Sequence, residues 1–132
     1  MKKAFILAVL AAAPLQAQNF TTQAEVQPIL EMTRANWVGL GTATGRDLLY
    51  FSHVLSWRCG IDEIRYGLNT ATPYTVLQME PCYPETTQPN AIRDLPYRSY
   101  PQGTIRSIVV ELRFEDGQVL LENFHRGEIR FD

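Results

Sequence analysis

The chain has 132 residues, of which 45% are hydrophobic and 20% charged, and its formal net charge at pH 7 is −2. This length suits a single domain with one small hydrophobic core. The mildly acidic charge, with arginines scattered rather than clustered, argues against a nucleic-acid-binding protein.

The first 17 residues have the order of a secretory signal peptide. Residues 1–3 are basic, residues 4–13 are an unbroken apolar run, and residues 14–17 contain proline and small side chains. This order predicts export with cleavage after Ala17. The apolar run is too short to span a bilayer, which needs about twenty residues, and no cysteine directly follows it for a lipid anchor. The alternative interpretation is a buried N-terminal helix.

Cleavage would leave residues 18–132, a single disulfide-braced β domain of 115 residues. Both lysines would leave with the signal peptide, so the mature chain would carry ten arginines, 14 acidic residues and a formal charge of −4. The short basic start is typical of a bacterial export signal. We therefore expect a periplasmic or secreted protein without a membrane anchor.

Residues 25–37 predict one short amphipathic helix near the start of the mature domain. Their core-facing side chains recur at intervals of three and four residues, which is the helical period. These positions are Val26, Ile29, Leu30, Thr33 and Trp37. The alternative is an extended N-terminal arm.

The longest predicted strand covers residues 48–60. Alternate positions place His53 on one face together with Phe51 and Trp57, and the β-branched and aromatic residues favour a strand over a helix. A strand of this length would span roughly 40 Å, about twice the usual length, so we expect a bend or bulge near His53. A lone histidine among apolar residues is typical of a hydrogen-bonded structural side chain.

Other short apolar or alternating segments complete the predicted sheet structure. They cover residues 37–40, 61–68, 74–79, 104–114 and 119–125, with 128–131 as a final edge. Strands and helices do not alternate, which argues against a parallel α/β sheet. The expected fold is therefore mainly β, a small antiparallel β-sandwich or partly open barrel of six or seven strands with one short N-terminal helix.

Residues 115–118 are a hairpin turn signal. A two-residue turn at this point would place Glu111 opposite Glu122, which is a pair of like charges. A longer turn, with Gly117 in the left-handed region, avoids that pair. The sequence leaves these two registers open.

Cys59 and Cys82 are the only cysteines. An even pair in an oxidising compartment predicts a disulfide. The bond would close a loop of 24 residues, which stabilises the fold by ~3 kcal/mol in the chain-entropy model. The spacing is far longer than that of a redox pair, and two cysteines with two distant histidines are too few for a typical zinc site. We therefore expect no metal and no cofactor.

Residue types suited to catalysis are present, but their pattern does not predict an active site. Ser52, His53 and Asp62 could supply a hydrolase triad, yet neighbouring residues on a strand point to opposite faces. The G-x-S-x-G pattern of many hydrolases does not occur. The acidic pairs at residues 62–63 and 115–116 are typical of solvated turns. We predict no catalytic residue, and a small secreted enzyme of hydrolase type is the alternative.

Residues 81–101 are the segment that most favours a function. They contain five of the eight prolines and no alternating run, which predicts a long irregular loop. Tyrosine and arginine dominate interface hot spots, and prolines limit the freedom that a loop loses on binding. The predicted binding residues are Tyr83, Arg93, Tyr97, Arg98 and Tyr100. In the alternative interpretation these tyrosines cap the open end of the core.

The function expected from these patterns is a small exported, non-enzymatic binding or interaction module, such as an inhibitor or accessory factor of an envelope protein. The expected partner is an envelope or periplasmic protein rather than a nucleic acid. The sequence predicts neither the identity of that partner nor the oligomeric state.

Overall fold

The computed structural model describes residues 19–131, without the side chains of the last two. The predicted signal peptide lies outside the described residues. Within them, seven strands form two antiparallel sheets, and one two-residue strand pairs in parallel at the edge of the first sheet. The strands are β1 Gly39–Ala43, β2 Arg46–Tyr50, β3 Glu63–Leu68, β4 Thr75–Val76, β5 Tyr97–Pro101, β6 Ser107–Arg113, β7 Val119–His125 and β8 Arg130–Phe131.

The two sheets pack their apolar faces into one core. The first sheet has the strand order β5-β2-β1-β8 and the second has the order β4-β3-β6-β7. Leu40 and Leu49 of the first sheet are fully buried, as are Ile64 and Val110 of the second. This architecture confirms the predicted mainly β fold, a small antiparallel sandwich with one helix of more than two turns near its N-terminal side.

The N-terminal helix, α1, spans Gln23–Met32 and begins with a reciprocal cap. The Thr22 hydroxyl accepts the backbone N–H of Glu25 at 3.3 Å and donates to the Glu25 carboxylate at 2.7 Å. A threonine followed three residues later by a glutamate satisfies backbone donors that a helix start leaves unpaired. Helix α1 therefore starts where the chain supplies its own cap.

The end of α1 differs from the prediction over residues 25–37. The α-helix stops at Met32, and a 3-10 turn covers Arg34–Asn36. Trp37 is nevertheless fully buried, as the helical spacing predicted. Its indole N–H donates to the carbonyl of Leu30 at 2.9 Å, so the tryptophan partners a carbonyl near the helix end that lacks a full set of intrahelical bonds.

The predicted long strand over residues 48–60 is wrong beyond its first three residues. Strand β2 ends at Tyr50, helix α2 covers Ser52–Leu55, and a 3-10 turn covers Arg58–Gly60. The chain therefore turns away from the sheet where we expected a bend within one strand.

The buried positions explain why this segment is helical. Phe51, Val54, Leu55 and Arg58 are all buried, and their spacing of three, four and seven residues is that of a helix. The alternating pattern would instead have buried Trp57, which is only half-buried. The same sequence carries both periodicities, and the packing of the core selects the helical one.

The prediction of an irregular loop over residues 81–101 is also wrong at its C-terminal end. Strand β5 forms there and pairs antiparallel with β2, with Arg98 opposite Leu49. It is an edge strand, where Pro101 can be accommodated because an outward-facing N–H is not needed in the ladder. Since β4 ends at residue 76, the irregular segment covers residues 77–96, and we call it the 77–96 loop.

The hairpin between β6 and β7 adopts the longer of the two turns considered. Glu111 lies opposite Leu121 rather than Glu122, and Gly117 has a φ of +88°. Glycine adopts this left-handed conformation without steric cost. The turn thereby avoids the like-charge pair.

The predicted disulfide between Cys59 and Cys82 is confirmed, with the two Cα atoms 5.7 Å apart. It joins the 3-10 turn at Arg58–Gly60 to the 77–96 loop. The bond therefore fixes the loop to the segment that carries Arg58.

Candidate interaction surface

The buried side chain of Arg58 holds the 77–96 loop in place through hydrogen bonds to its backbone. Its side chain is 1% exposed, and all five of its N–H donors are used, at distances between 2.7 and 3.1 Å. The acceptors are the backbone carbonyls of Leu55, Glu80, Pro81, Asn90 and Ala91. A guanidinium presents five donors in a fixed plane, so one buried side chain holds both limbs of the loop at a set distance.

Glu80, which belongs to the loop, accepts hydrogen bonds from other loop residues. Its side chain is 4% exposed and accepts the backbone N–H groups of Arg93 at 2.9 Å and Asp94 at 3.2 Å. The Tyr83 hydroxyl donates to the same carboxylate. Burial alone would raise the pKa of Glu80, but the Tyr83 hydroxyl, the two N–H groups and the nearby Arg58 charge lower it below its usual value. The carboxylate is therefore held in its charged form.

Asn90 connects the loop to the rest of the domain beside the disulfide. Its side-chain oxygen accepts the backbone N–H of Cys59 at 2.8 Å. Its amide nitrogen donates to the carbonyl of Phe20 at 2.9 Å. Together with Arg58 and Glu80, this side chain gives both ends of the loop fixed partners, although the loop lacks regular secondary structure.

Tyr83 and Arg93, two of the predicted binding residues, are in direct contact. The Arg93 guanidinium lies 3.8 Å from the centroid of the Tyr83 ring, a cation–π geometry. Arg93 is exposed and Tyr83 is half-buried. The pair therefore presents a positive charge in a fixed position on the loop surface.

Arg98 joins the edges of the two sheets. It lies on β5, and its guanidinium donates to the carbonyls of Tyr97 and Gln78, each at 3.1 Å. Arg98 also lines a cavity of about 360 Å³ with Leu95 and Asp94. Leu95 is 68% exposed, which leaves a large apolar side chain in water beside Arg98.

Tyr97 and Tyr100 do not belong to this surface. Tyr97 lies on the outer side of the first sheet, where its ring is 5.3 Å from that of Tyr50. Tyr100 points inward, and its hydroxyl is 2.9 Å from that of Tyr66. Burial raises the pKa of Tyr100 well above its ordinary value. The structure therefore places Tyr83 and Arg93 in contact. It places Arg98 beside Leu95 and Asp94 and packs Tyr100 against the core.

Sequence reasoning missed three residues of this site. Arg58 follows the buried positions of α2 at helical spacing, a signal that was present but was interpreted as a strand. Glu80 and Leu95 carry no sequence signal, because their roles depend on contacts within an irregular loop. The buried Arg58 and Glu80 hold the surface, and the exposed Leu95 extends it.

The two histidines do not form a catalytic arrangement with an acid within the described residues. His53 is half-buried on α2, and its Nε2 lies 2.9 Å from the Thr33 hydroxyl. Burial lowers the pKa of His53. His125 is exposed at the end of β7. Over residues 19–131, no group of three or more histidine, cysteine or acidic side chains is placed to hold a metal ion.

Comparison of the chain with protein-family models, with curated proteins and with solved structures finds no match. Among residues 19–131, no helix is both long enough and apolar enough to cross a membrane.

Proposed function

We propose that this protein is an exported, non-enzymatic binding module that recognises a protein of the periplasm or envelope through the 77–96 loop and Arg98. An inhibitor or an accessory factor fits this description. The observation that carries the proposal is a long irregular loop held in place by a buried arginine, a buried glutamate and a disulfide, with Arg93 and Leu95 left exposed on it.

Pre-organisation is the physical reason to connect this loop with binding. A loop that is already ordered loses little conformational entropy when it meets a partner. Arg93 stacked on Tyr83 supplies a rigid charged anchor, and the exposed Leu95 supplies an apolar one. A small number of such anchors, with arginine and tyrosine prominent among them, provides most of the affinity of protein interfaces.

Export is the second part of the proposal. The disulfide between Cys59 and Cys82 is of a kind that persists in oxidising compartments and is rare in the cytosol. The basic, apolar and small-residue order of residues 1–17 supports cleavage after Ala17. We therefore propose that the mature chain acts in the periplasm or outside the cell.

Binding through the loop is tested by affinity capture with the tagged mature protein. Periplasmic extract is passed over the unmodified protein and over the variants Arg93→Ala and Leu95→Ser. The matched controls are Arg106→Ala and Met32→Ser, which change an exposed arginine and an exposed apolar residue elsewhere. We expect both loop variants to lose a captured protein that both controls retain, with little change in melting temperature. Equal capture by all five proteins would contradict the proposal.

A further inference from the structure

Strand β5 is the outermost strand of the first sheet, so one of its edges faces no other strand of that sheet. The backbone N–H of Phe51 donates to the carbonyl of Pro96 at 2.8 Å, which extends the β2–β5 register by one hydrogen-bonded pair. Hydrogen-bonded pairs alternate along an antiparallel ladder. The backbone groups of Tyr97 and Ser99 therefore point away from β2, towards the open edge.

The open edge of β5 offers two N–H donors and two carbonyl acceptors, all from Tyr97 and Ser99. The carbonyl of Tyr97 accepts one bond from the Arg98 guanidinium at 3.1 Å and keeps a second lone pair. Within residues 19–131, no group pairs with the N–H of Tyr97 or with the backbone of Ser99, and Ser99 is exposed. The edge ends at Pro101, which has no N–H and whose carbonyl accepts both the N–H and the hydroxyl of Thr104.

The cavity of about 360 Å³ that Arg98 lines borders this edge on its inner side. Arg98 lies between the two open residues, and its side chain is on the core side of the sheet, since it is opposite the fully buried Leu49. The buried Leu55, the half-buried Met79 and the exposed Leu95 supply the apolar part of the lining. An apolar wall therefore lies directly beside unpaired backbone groups.

We propose that the β5 edge binds an extended segment of the partner protein as an added antiparallel strand. This inference rests on the proposed binding function and names the kind of segment that the surface recognises. The residues of the segment opposite Tyr97 and Ser99 each exchange both of their backbone hydrogen bonds with β5. The residue between them lies opposite Arg98 and shares its face, so its side chain enters the cavity. In strand addition, main-chain bonds supply affinity and pockets for alternate side chains supply specificity.

The cavity predicts an apolar side chain at the central position of the segment. The Arg98 guanidinium already donates to two carbonyls, and the Glu80 carboxylate already accepts the Tyr83 hydroxyl and two N–H groups. These two charges therefore have partners without a charged ligand. The residue opposite Tyr97 lies on the outer face beside the Tyr50 ring, where an aromatic or β-branched side chain makes a favourable cross-strand pair.

A second copy of β5 fits this edge less well than an unrelated segment. A two-fold axis at Ser99 sets Tyr97 opposite the second copy's Pro101, which has no free backbone group, so only the two bonds between the serines form. A two-fold axis at Arg98 forms all the bonds but sets the two arginines directly opposite each other, which is destabilising. A segment of different sequence avoids both problems.

The other long edge, that of β7, lacks this combination. The Arg34 guanidinium donates to the carbonyl of Leu121 at 3.3 Å and pairs with Glu122 at 3.2 Å. A charged side chain at the middle of an edge disfavours the addition of a strand. Strands β4 and β8 have two residues each. Among the described strands, β5 therefore combines unpaired backbone groups with an adjacent cavity.

The probes for the test are peptides selected on the immobilised mature protein from a phage-displayed library of random linear peptides. We expect enrichment of peptides in which aromatic or β-branched residues flank one apolar residue. Amide hydrogen exchange then locates the bound peptide. The amides of Tyr97 and Ser99 should become protected, whereas those of Arg98 and Tyr100, which bond to β2, should change little. A lack of enrichment over a blank surface, or protection only at other amides, would overturn the proposal.

Backbone methylation of a selected peptide tests the main-chain bonds on the unmodified protein. An N-methyl group at either residue that faces Tyr97 or Ser99 removes a bonded N–H, and we expect affinity to fall roughly tenfold. The matched control is an N-methyl group on the central residue, whose N–H points away from β5. It should weaken binding much less. Equal losses from all three methylated peptides would contradict an added strand.

The variant Ser99→Pro separates this inference from the proposed function. It removes an N–H that β2 does not use, and Asn123→Pro is the matched control on the exposed edge of β7. With little change in melting temperature in either variant, only Ser99→Pro should lose the selected peptides and the protein captured from periplasmic extract. If Leu95→Ser loses the captured protein while Ser99→Pro retains both the protein and the peptides, the added strand is wrong and the binding function stands.

Two further outcomes are distinguishable. If the selected peptides protect the Ser99 amide but all loop variants capture the same proteins from extract, the edge binds extended peptides and the proposed loop surface is wrong. If protection of the Ser99 amide rises with protein concentration in the absence of peptide, a second copy occupies the edge. That result would overturn the proposal.

Discussion

Asp47 is a fully buried carboxylate on strand β2, and it is ion-paired with Arg126. The two guanidinium nitrogens Nη1 and Nη2 donate to its two oxygens at 2.7 and 3.2 Å. The backbone N–H of Ile105 donates to it as well, at 3.3 Å. The bonds from Arg126 outweigh burial and lower the pKa of Asp47 to about 2. The Asp47 side chain of the first sheet thus binds both the segment that precedes β6, at Ile105, and the segment that follows β7, at Arg126.

We predict that Asp47 makes the protein sensitive to acid. A carboxyl group whose pKa is lower in the folded state contributes stability above its unfolded pKa of 3.8, and this contribution is lost as the pH falls through the folded value of about 2. The contribution is ~2 kcal/mol. Asp47→Asn should therefore lower the free energy of unfolding at pH 7, and its difference from the unmodified protein should shrink between pH 4 and pH 2.

Urea unfolding at pH 7, 4 and 2 measures this difference. Asp62→Asn is the matched control, because Asp62 is an exposed acid on the same domain, and it should change stability by less than about 0.5 kcal/mol. A deficit of Asp47→Asn that stays constant from pH 7 to pH 2 would show that ionisation of Asp47 is not the cause.

The 77–96 loop is held by hydrogen bonds from side chains to its backbone rather than by the backbone hydrogen bonds of a helix or a sheet. Arg58 is a buried charge, and such a charge is costly unless its donors are all paired. The five backbone carbonyls around it provide that pairing, and they include two from each limb of the loop. The guanidinium and the loop therefore depend on each other for their positions.

Arg58→Lys tests this dependence while keeping the charge. A lysine offers three donors on a flexible stem instead of five in a plane, so at least two buried carbonyls lose their partner. We expect the free energy of unfolding to fall by ~2–4 kcal/mol, the sum of two unsatisfied buried groups at roughly 1–2 kcal/mol each. Chemical denaturation measures this loss.

Arg106→Lys serves as the control for Arg58→Lys, because Arg106 is exposed and its replacement should be close to neutral. Amide hydrogen exchange locates the effect. Protection of the Arg93 and Asp94 amides, which donate to Glu80, should fall more than protection within β6. A loss of less than about 1 kcal/mol would mean that the disulfide and Asn90 suffice to hold the loop.

At the scale of the whole molecule, the proposed export predicts a mature chain that lacks residues 1–17. Intact-mass measurement of the protein produced in a bacterium should give the mass of residues 18–132 with one disulfide. Ala17→Arg should slow the cleavage, because the processing site requires a small residue. A full-length mass in the soluble fraction would contradict the prediction.

The sequence by itself determined the features that depend on local periodicity and on covalent chemistry. Alternation over residues 104–114 and 119–125 was sufficient to predict strands β6 and β7, because a strand with one buried face must alternate. The single pair Cys59 and Cys82 was sufficient to predict the disulfide. Of the candidate site, the sequence pointed to the proline-rich segment and to Tyr83, Arg93 and Arg98, whose chemistry is evident from residue type alone.

Only the tertiary structure decided the features that depend on contacts between distant segments. Residues 51–58 carry the periodicity of both a strand and a helix, and their β-branched and aromatic residues favoured the strand. The shape of the core nevertheless selected the helix. The role of Arg58 could not be predicted because four of its five acceptors lie 22 to 33 residues away. Tyr97 and Tyr100 were separated by strand β5, whose alternation sends one outward and the other into the core. That strand formed because β2 offered it a free edge, and the sequence of residues 97–101 contains no sign of that edge.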